Sequence, residues 1–372
     1  MKGEFELIRR IAERFRAPKG VTGIGDDCAI IPQMSGKDTL VSTDMLVEGS
    51  HFLLSGTGKG RAISARELGW KSAAVNLSDI AAMGGRPTGV FLALALPPKI
   101  TDGWMDEFMD GFKEICDRFG VVLLGGDTTA SPDRLCINVT VLGECPSGAS
   151  RTRAAARAGD LICVTGTLGD SAAGLRIITG DPAAGPRDCA AGREDERYLI
   201  GRHYMPMPRI EEGLALAGCE GVHAMMDISD GIASDLRHIL RASQNDGAGL
   251  QPASTGTGLS AEIDLKGLPL SDALVRVCEC KNWDPAELAV EGGEDYELLF
   301  TMAPGTVPPI PCTVIGRILP AGETSELEGQ SATAGTDSRT EGYDSRTAVQ
   351  VAPGEIRWIG GKKSDYRGFA HF

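Results

Sequence analysis

Acidic residues stand beside glycine, serine or threonine at six places in this chain, most of them directly after an apolar run. The six segments are Gly25-Asp26-Asp27, Ser42-Thr43-Asp44, Asn76-Leu77-Ser78-Asp79, Gly125-Gly126-Asp127, Asp227-Ile228-Ser229-Asp230-Gly231 and Gly292-Gly293-Glu294-Asp295. One such Asp is usually a turn or helix-cap residue, but six are hard to explain as turns alone. Enzymes with α/β folds place ligands at strand ends, and Mg²⁺ commonly joins carboxylates there to substrate phosphates. The pattern therefore predicts a Mg²⁺ site that handles phosphorylated ligands.

The net charge argues against nucleic acid as a partner. The chain has 372 residues, with 51 Asp plus Glu against 37 Lys plus Arg, and a net charge of −14. A field of this sign repels phosphate backbones. A bound polyphosphate would therefore need cations to bridge it to the protein.

The motifs of several large enzyme classes are missing from the sequence. There is no Gly-x-x-x-x-Gly-Lys-[Ser/Thr], and no Gly-x-Gly-x-x-Gly follows a strand, which disfavours a P-loop ATPase and a Rossmann dinucleotide-binding domain. There is also no His-Glu-x-x-His and no Gly-x-Ser-x-Gly, which disfavours a zinc protease and a serine hydrolase. The five histidines argue against a His-based metal cluster.

The elements that must position the acids divide into two units. Hydrophobic periodicity predicts an opening helix over 4–16 and a mixed α/β unit up to about residue 145. In the first unit we expect strands over 29–32, 39–43, 90–96, 121–124 and 135–142, and helices over 61–83 and 102–119. In the second unit we expect strands over 158–166, 224–228 and 298–302, and a helix over 231–243.

The predicted fold class is α/β (α+β mixed), with two domains at 1–145 and 146–372. The stretch 321–348 holds almost no large apolar residue, which predicts a flexible insertion in the second domain. The N-terminus lacks an apolar signal core, and the apolar runs fall short of the ~20 residues that span a bilayer. We therefore expect a cytoplasmic protein that does not engage a membrane.

Seven motifs, in this order and spacing, resemble those of the thiamine-monophosphate kinase family over nearly the whole chain. They are Ile24-Gly-Asp-Asp27, Ser42-Thr-Asp-Met-Leu-Val-Glu-Gly-Ser-His-Phe52, the segment from Lys71 to Gly84, Gly125-Gly-Asp-Thr128, the segment from Val164 to Leu175, Asp227-Ile-Ser-Asp-Gly231 and Gly292-Gly-Glu-Asp-Tyr-Glu-Leu298. Single motifs are shared with aminoimidazole ribonucleotide synthetase, selenophosphate synthetase and a hydrogenase maturation factor. Val-Glu-Gly-Ser-His-Phe and Gly-Gly-Glu-Asp-Tyr-Glu-Leu favour the thiamine enzymes.

The resemblance implies that ATP and thiamine monophosphate react to give thiamine diphosphate and ADP, with several Mg²⁺ ions per site. It also implies a homodimer formed through the N-terminal domains and an active site in the cleft between domains. The matching metal ligands are Asp27, Ser42, Thr43, Asp44, Asp79, Asp127, Asp227 and Asp230. The matching nucleotide contacts are Gly126, Asp127, Arg153 and Ser229, and the matching substrate contacts are His51, Glu294 and the tail aromatic Tyr366.

Two alternatives stay open at this point. The chain could be another ATP-using enzyme of the same superfamily. The selenophosphate synthetase and hydrogenase maturation readings are disfavoured because no reactive Cys precedes Cys28 and the chain ends in Ala-His-Phe372. It could also be a catalytically silent metal- or nucleotide-binding regulator, although every acidic element is retained.

Overall fold

A computed structural model describes residues 20–22, 26–33, 35–55, 61–180, 192–244, 258–320, 352–361, 363 and 365–368. The helix expected over 4–16 and the polar stretch 321–348 lie outside these residues. No helix in the described ranges combines the length and the apolar character needed to cross a membrane.

The first sheet has five strands in the order β1-β2-β5-β3-β4. The strands are β1 (Ala29–Pro32), β2 (Lys37–Val47), β3 (Arg86–Leu96), β4 (Val122–Ala130) and β5 (Cys136–Pro146). Only the β3–β4 pair among them is parallel. This sheet and two helices, α1 (Ala65–Ala82) and α2 (Asp102–Phe119), form what we call the first part of the chain; the elements of the second sheet form the second part.

The second sheet has six strands in the order β11-β8-β10-β6-β9-β7. They are β6 (Leu161–Val164), β7 (Val222–Asp227), β8 (Leu259–Asp264), β9 (Leu298–Met302), β10 (Thr313–Pro320) and β11 (Ile356–Ile359). The helices of this part are α3 (Asp170–Thr179), α4 (Arg193–Tyr204), α5 (Ile210–Ala217), α6 (Ile232–Gln244), α7 (Asp272–Lys281) and α8 (Pro285–Glu291). The predicted mixed α/β class is confirmed.

Helix α1 lies where the two parts meet. Fifteen of its 18 residues are buried, as expected for a helix enclosed on all sides rather than on one stripe. Its N-terminus is fixed by a capping box in which Ser64 and Glu67 bond each other's backbone. At its other end the backbone of Gly213 in α5 packs against Ala81, where a Cβ atom would lie 2.2 Å from the Ala81 carbonyl oxygen. A glycine is therefore required for this close approach of the two helices.

One apolar core continues from the first part into the second. Leu40 and Val139 of the first sheet belong to the same buried cluster as Met225 and Phe300 of the second sheet. A separate cluster, which includes Ile263, lies around other strands of the second sheet. The shared core fixes α1, and the acid it carries, against the end of β7.

Strand and helix positions in the first part largely follow the hydrophobic pattern. Helix α1 begins at Ala65, later than the expected residue 61, because Ser64 caps it. Strand β2 runs over 37–47 rather than 39–43, and β4 over 122–130 rather than 121–124. In these strands polar residues such as Asp44 and Asp127 continue the backbone ladder, which hydrophobicity alone does not reveal. The domain boundary expected at 145/146 stays a prediction.

Candidate active site

Three carboxylates from distant parts of the sequence meet at one point. Asp27 precedes β1, Asp79 lies in α1, and Asp227 ends β7. One carboxylate oxygen of each lies within 4.8 Å of the others. Hydroxyl groups hold two of them in place, since Ser42 donates to Asp79 and Ser78 donates to Asp227, each at 2.5 Å. The acid cluster, as we call Asp27, Asp79 and Asp227, thus joins both sheets.

The acid cluster resists ionisation. Burial, and then the charges of Asp44, Asp227 and Asp27, raise the pKa of Asp79 well above its usual range. Burial, and then the neighbouring Asp27, raise the pKa of Asp227 to about 7. Burial also raises the pKa of Asp27, against the lowering effect of Arg153. Carboxylates arranged in this way accept a cation readily, because it would offset both their desolvation and their repulsion.

Arg153 lies against the acid cluster. Its guanidinium contacts Oδ1 of Asp27, and its Nε lies 3.4 Å from Oδ1 of Asp26. The other carboxylate oxygen of Asp27 is buried and has no hydrogen-bond partner. A buried acceptor of this kind normally finds a partner, so the orphaned oxygen fits a metal ligand.

The other predicted ligands on the inner face of the first sheet lie nearby. The backbone N–H of Asp44 donates to Oδ1 of the buried Asn76 at 3.1 Å, and this hydrogen bond anchors β2 to α1. Its charge raises the pKa of both Asp79 and Asp227. Ser42, two residues before it in β2, donates to Asp79 as described.

The predicted residues Ser229 and Asp230 form the turn between β7 and α6. The backbone N–H groups of both donate to Oδ2 of Asp235 at 3.2 Å. Burial raises the pKa of Asp235 well above its usual range, and the charges of Asp230 and Asp227 add to this. The turn thus adds acids next to the end of β7 at Asp227.

The structure does not bring Thr43 and Asp127 to the acid cluster. Asp127 of β4 pairs with Ala93 of β3, which pairs with Asn138 of β5. Asn138 in turn pairs with Met45 of β2, so all four residues share one face of the sheet. Asp44 lies one position from Met45 in β2 and therefore faces the other side. Thr43 is also on the Met45 side, where its hydroxyl bonds the Val139 carbonyl and Thr140. The metal roles of Thr43 and Asp127 stay predictions.

Gly126 has a clear steric reason to be glycine. A Cβ atom at this position would lie 1.8 Å from the Leu92 carbonyl oxygen of the paired strand. The residue therefore keeps β4 against β3. Its predicted role in nucleotide binding stays a prediction.

His51 and Glu294, both predicted to contact substrate, lie near each other. His51 follows β2, and its Nδ1 accepts the Val47 N–H at 3.0 Å. Glu294 stands in the loop before β9, 28% exposed, and its carboxylate is 3.0 Å from Nζ of Lys71 and 3.2 Å from Nδ1 of His203. Burial raises the pKa of Glu294, but Lys71, His203 and His51 together hold it below its usual value.

Tyr366 occupies a different environment from the one expected. Its ring is 1% exposed and packs edge-on against Trp358, 5.1 Å away, in the core beside the second sheet. A substrate could reach this ring only by displacing it. The predicted contact of Tyr366 with the substrate stays a prediction, and its burial disfavours it.

Sequence reasoning missed Lys71 and His203. Lys71 starts one of the motifs quoted above, in a run of small and apolar residues, and a charge inside such a helix predicts burial with a partner. The burial of Lys71 was therefore predictable from the sequence. His203 carries no such signal, because its neighbours Arg202 and Tyr204 are ordinary helix residues.

Family models match both parts of the chain. Residues 25–145 match the N-terminal domain and residues 157–247 the C-terminal domain of AIR synthase related protein. The thiamine-monophosphate kinase of Escherichia coli K12 is 41% identical over 302 residues, covering 81% of this chain and 82% of that protein. The thiamine-monophosphate kinase of Haemophilus influenzae is 38% identical over 328 residues, covering 85% and 89%.

Solved structures share the fold. A structure described as AaThiL complexed with AMPPCP and TMP superposes with a TM-score of 0.75 at 31% identity, covering all of this chain and 97% of that one. Thiamine monophosphate kinase from Aquifex aeolicus gives a TM-score of 0.69 at 32% identity, covering 84% and 94%. The chain therefore belongs to the thiamine-monophosphate kinase family.

Proposed function

We infer that this protein transfers the γ-phosphoryl group of ATP to thiamine monophosphate and releases thiamine diphosphate and ADP. The observation that carries this is the acid cluster, which joins Asp27 and Asp79 of the first part to Asp227 of the second. The family and the described complex with AMPPCP and TMP supply the two substrates. In a protein of net charge −14, such a transfer needs cations that screen the phosphate charges, and the acid cluster is a site where they would bind.

The acceptor needs little activation. The attacking atom is a phosphate oxygen of thiamine monophosphate, and a phosphate monoester with a second pKa of ~6 is mostly ionised at neutral pH. The new bond joins this oxygen to the γ-phosphorus while the bond to the β–γ bridging oxygen breaks, and ADP leaves with that electron pair. The protein's task is to align two anions and to screen their charge.

The acid cluster fits Mg²⁺ as the source of that screening. The donors are carboxylate oxygens, the orphaned oxygen of Asp27 among them, with Ser42 and Asp44 beside Asp79. Asp27, Asp79 and Asp227 would hold the metal, and Asp230 would add a further carboxylate on the side of the second sheet. Bound Mg²⁺ would screen the phosphate charges as the γ-phosphoryl group moves.

Arg153 contacts the nucleotide phosphates in this proposal. Its guanidinium is already placed at the edge of the acid cluster by Asp26 and Asp27. A guanidinium can bond phosphate oxygens through two donors at once. His51 and Glu294, the latter paired with Lys71 of α1, bind the thiamine monophosphate.

The protein acts as a homodimer, with the active site in the cleft between the two parts of each chain. The outer face of the first sheet and its edge strand β4 support this proposal, because they expose large apolar side chains. These are Ile31, Met45, Phe91, Val122, Leu123 and Leu124. An exposed apolar edge of this kind is normally covered. Asp127 lies on the same surface.

The direct test is turnover by the purified protein with ATP, Mg²⁺ and thiamine monophosphate, with product separation to detect thiamine diphosphate and ADP in equal amounts. Thiamine without its phosphate is the control acceptor and should give no product. Turnover with a different acceptor alone would move the protein elsewhere in the superfamily. Nucleotide binding without turnover of any acceptor would identify a silent regulator.

A further inference from the structure

Lys71 is a fully buried cation at the contact between the two parts of the chain. Its side chain is 1% exposed in the middle of α1. Nζ lies 3.0 Å from Oε2 of Glu294 and 3.5 Å from Nε2 of His203. Lysines are almost never buried unless they are paired, so the Glu294 carboxylate is what permits this burial.

His203 supports the same carboxylate. An ammonium group has no acceptor, so Lys71 donates to Nε2 of His203 and the ring proton is on Nδ1. Nδ1 lies 3.2 Å from Oε2 of Glu294 and 3.0 Å from Oγ of Ser171. Lys71 therefore donates to Oε2 of Glu294, while the His203 ring lies against that oxygen and has Ser171 as the hydrogen-bond partner of its Nδ1. This leaves Oε1 of Glu294 for another partner.

The loop that carries Glu294 is held in an unfavourable backbone conformation. Glu294 has φ 62° and Tyr296 has φ 51°, a region that residues other than glycine rarely occupy. The loop is tied down by hydrogen bonds from Glu294 to the Ser229 carbonyl at 2.8 Å and from Tyr296 to the Ile228 carbonyl at 3.0 Å. Such strain persists only where surrounding contacts enforce it and is typical of functional sites.

Within the described part of the chain, four titratable groups face Glu294 from the surrounding elements. They are Lys71 from α1, His203 from α4, His51 from the segment after β2, and Tyr296 from its own loop. Burial, and then the charge of Lys71, lower the pKa of His203 to about 3, so its ring is neutral at physiological pH. Lys71, 3.0 Å from the Glu294 carboxylate, is thus the main group in this set that lowers the pKa of Glu294.

We propose that Lys71, aided by His203, is a positioning residue that holds Glu294 as an ionised hydrogen-bond acceptor for thiamine monophosphate. The substrate suits such an acceptor, because its aminopyrimidine donates N–H bonds and its thiazolium ring is cationic. Since the Lys71–Glu294 pair is neutral as a whole, recognition relies on the fixed direction of the free carboxylate oxygen. The proposal rests on the proposed function and adds to it the residues that set substrate affinity.

The test is steady-state kinetics of Lys71→Gln, Glu294→Gln and the double variant between pH 6 and 9. We expect Lys71→Gln to raise KM for thiamine monophosphate at least 10-fold while kcat and KM for ATP stay within 3-fold. The ratio of its KM to that of the unmodified protein should grow as pH falls, because an unpaired buried Glu294 takes up a proton. For Glu294→Gln this ratio should be constant with pH, and adding Lys71→Gln to it should change KM less than 2-fold.

Arg151→Gln is the matched control for a loosened contact between the parts. Arg151 donates to the carbonyls of Ala217 at 2.7 Å and Cys219 at 3.0 Å, next to α5. This variant should lower Tm and leave KM for thiamine monophosphate and its pH profile unchanged. If Lys71→Gln behaved in the same way, or if its effect on KM added fully to that of Glu294→Gln, the proposal would be overturned.

His203→Gln keeps the test open if Lys71→Gln does not fold. A rise in KM for thiamine monophosphate of at least 3-fold that disappears in the Glu294→Gln background supports the proposal. An unchanged KM, or a fully additive effect, contradicts it. Failure of the proposed function is distinguishable from both, because the unmodified protein would then not turn over thiamine monophosphate at all.

Discussion

At the scale of single residues, the acid cluster consists of buried carboxylates whose ionised form is unfavourable in the folded protein. A structural Asp that caps a helix or closes a turn stabilises the protein, and its loss costs ~1 kcal/mol. Asp79 and Asp227 differ, because burial and mutual repulsion raise the pKa of both. These two residues therefore do not stabilise the fold by their charge, and a bound cation accounts for their presence.

We expect Asp79→Asn and Asp227→Asn to keep or increase Tm without Mg²⁺ and to lose about 10²–10³-fold in kcat, as loss of one electrostatic contact to a transition state does. Asn preserves the shape and the acceptor for the Ser42 or Ser78 hydroxyl. Thermal melting and turnover on the same samples check this. Asp133→Asn is the control, since that side chain is 88% exposed, and it should change neither. Stable variants with normal kcat would remove the metal site from the mechanism.

The buried acids Asp227 and Asp26, the latter beside the acid cluster, predict how stability depends on pH. The pKa values of Asp26 and Asp227 are raised to about 7, from 3.8, so the folded state binds more protons than the unfolded chain between about pH 4 and 7. Stability from these groups is therefore present at low pH and lost as pH rises through about 7. In EDTA, Tm should fall between pH 5 and 8, and less so for Asp227→Asn. Mg²⁺ should raise Tm more at pH 8 than at pH 5, and equal shifts at both would contradict this.

At the scale of elements, we expect the contact between α1 and α5 to set the distance between Asp79 and Asp227. A methyl group on Gly213 would lie 2.2 Å from a backbone oxygen of α1, which cannot move aside alone. Gly213→Ala should therefore push the helices apart, cost about 1–3 kcal/mol as overpacking does, and lower kcat.

Gly201→Ala is the matched control in the neighbouring helix α4. A Cβ atom there meets nothing within 4 Å. Because alanine suits a helix interior better than glycine, this variant should gain roughly 0.5–1 kcal/mol and keep full activity. Urea unfolding and kinetics distinguish the two outcomes. A Gly213→Ala variant as stable and active as Gly201→Ala would show that the α1–α5 contact does not set the site.

The stretch 321–348 connects two strands that flank the same neighbour. Ile318 of β10 and Ile356 of β11 both pair with Ala261 of β8, so the two strands are about 10 Å apart at that level. A Gly/Ser linker of about eight residues spans roughly 16 Å. Replacing 321–348 by such a linker should leave Tm and kcat nearly unchanged. A tenfold loss of kcat with an unchanged Tm would instead give this stretch a role in catalysis.

At the scale of the whole molecule, the uncovered face of the first sheet predicts the assembly. Phe91 on this face is 42% exposed, and Leu124 at the edge strand is 52% exposed. A dimer of the 39.1 kDa chain should sediment with about twice that mass at micromolar concentration. Phe91→Arg should shift it toward the single-chain mass, whereas Val307→Arg, at an 85% exposed position of the second part, should not. Sedimentation of the unmodified protein at 39 kDa would contradict the dimer.

The sequence by itself determined the local elements and the chemistry. The alternation of apolar residues in strands such as β5, the capping box before α1 and the acids at strand ends are local patterns. Local patterns are readable because a strand or helix repeats its environment every two or 3.6 residues. The family, the acid residues Asp27, Asp79 and Asp227 and the substrates follow from such motifs.

Only the tertiary structure decided which of these residues meet. Sheet register placed Asp44 toward the acid cluster and Asp127 on the opposite face, although both follow similar sequence patterns. Packing buried Tyr366 against Trp358 and brought Lys71 to Glu294 across 223 positions of the chain. Contacts of this kind depend on how whole elements pack. A one-residue change of register reverses the face of every side chain in a strand, so no local pattern can specify them.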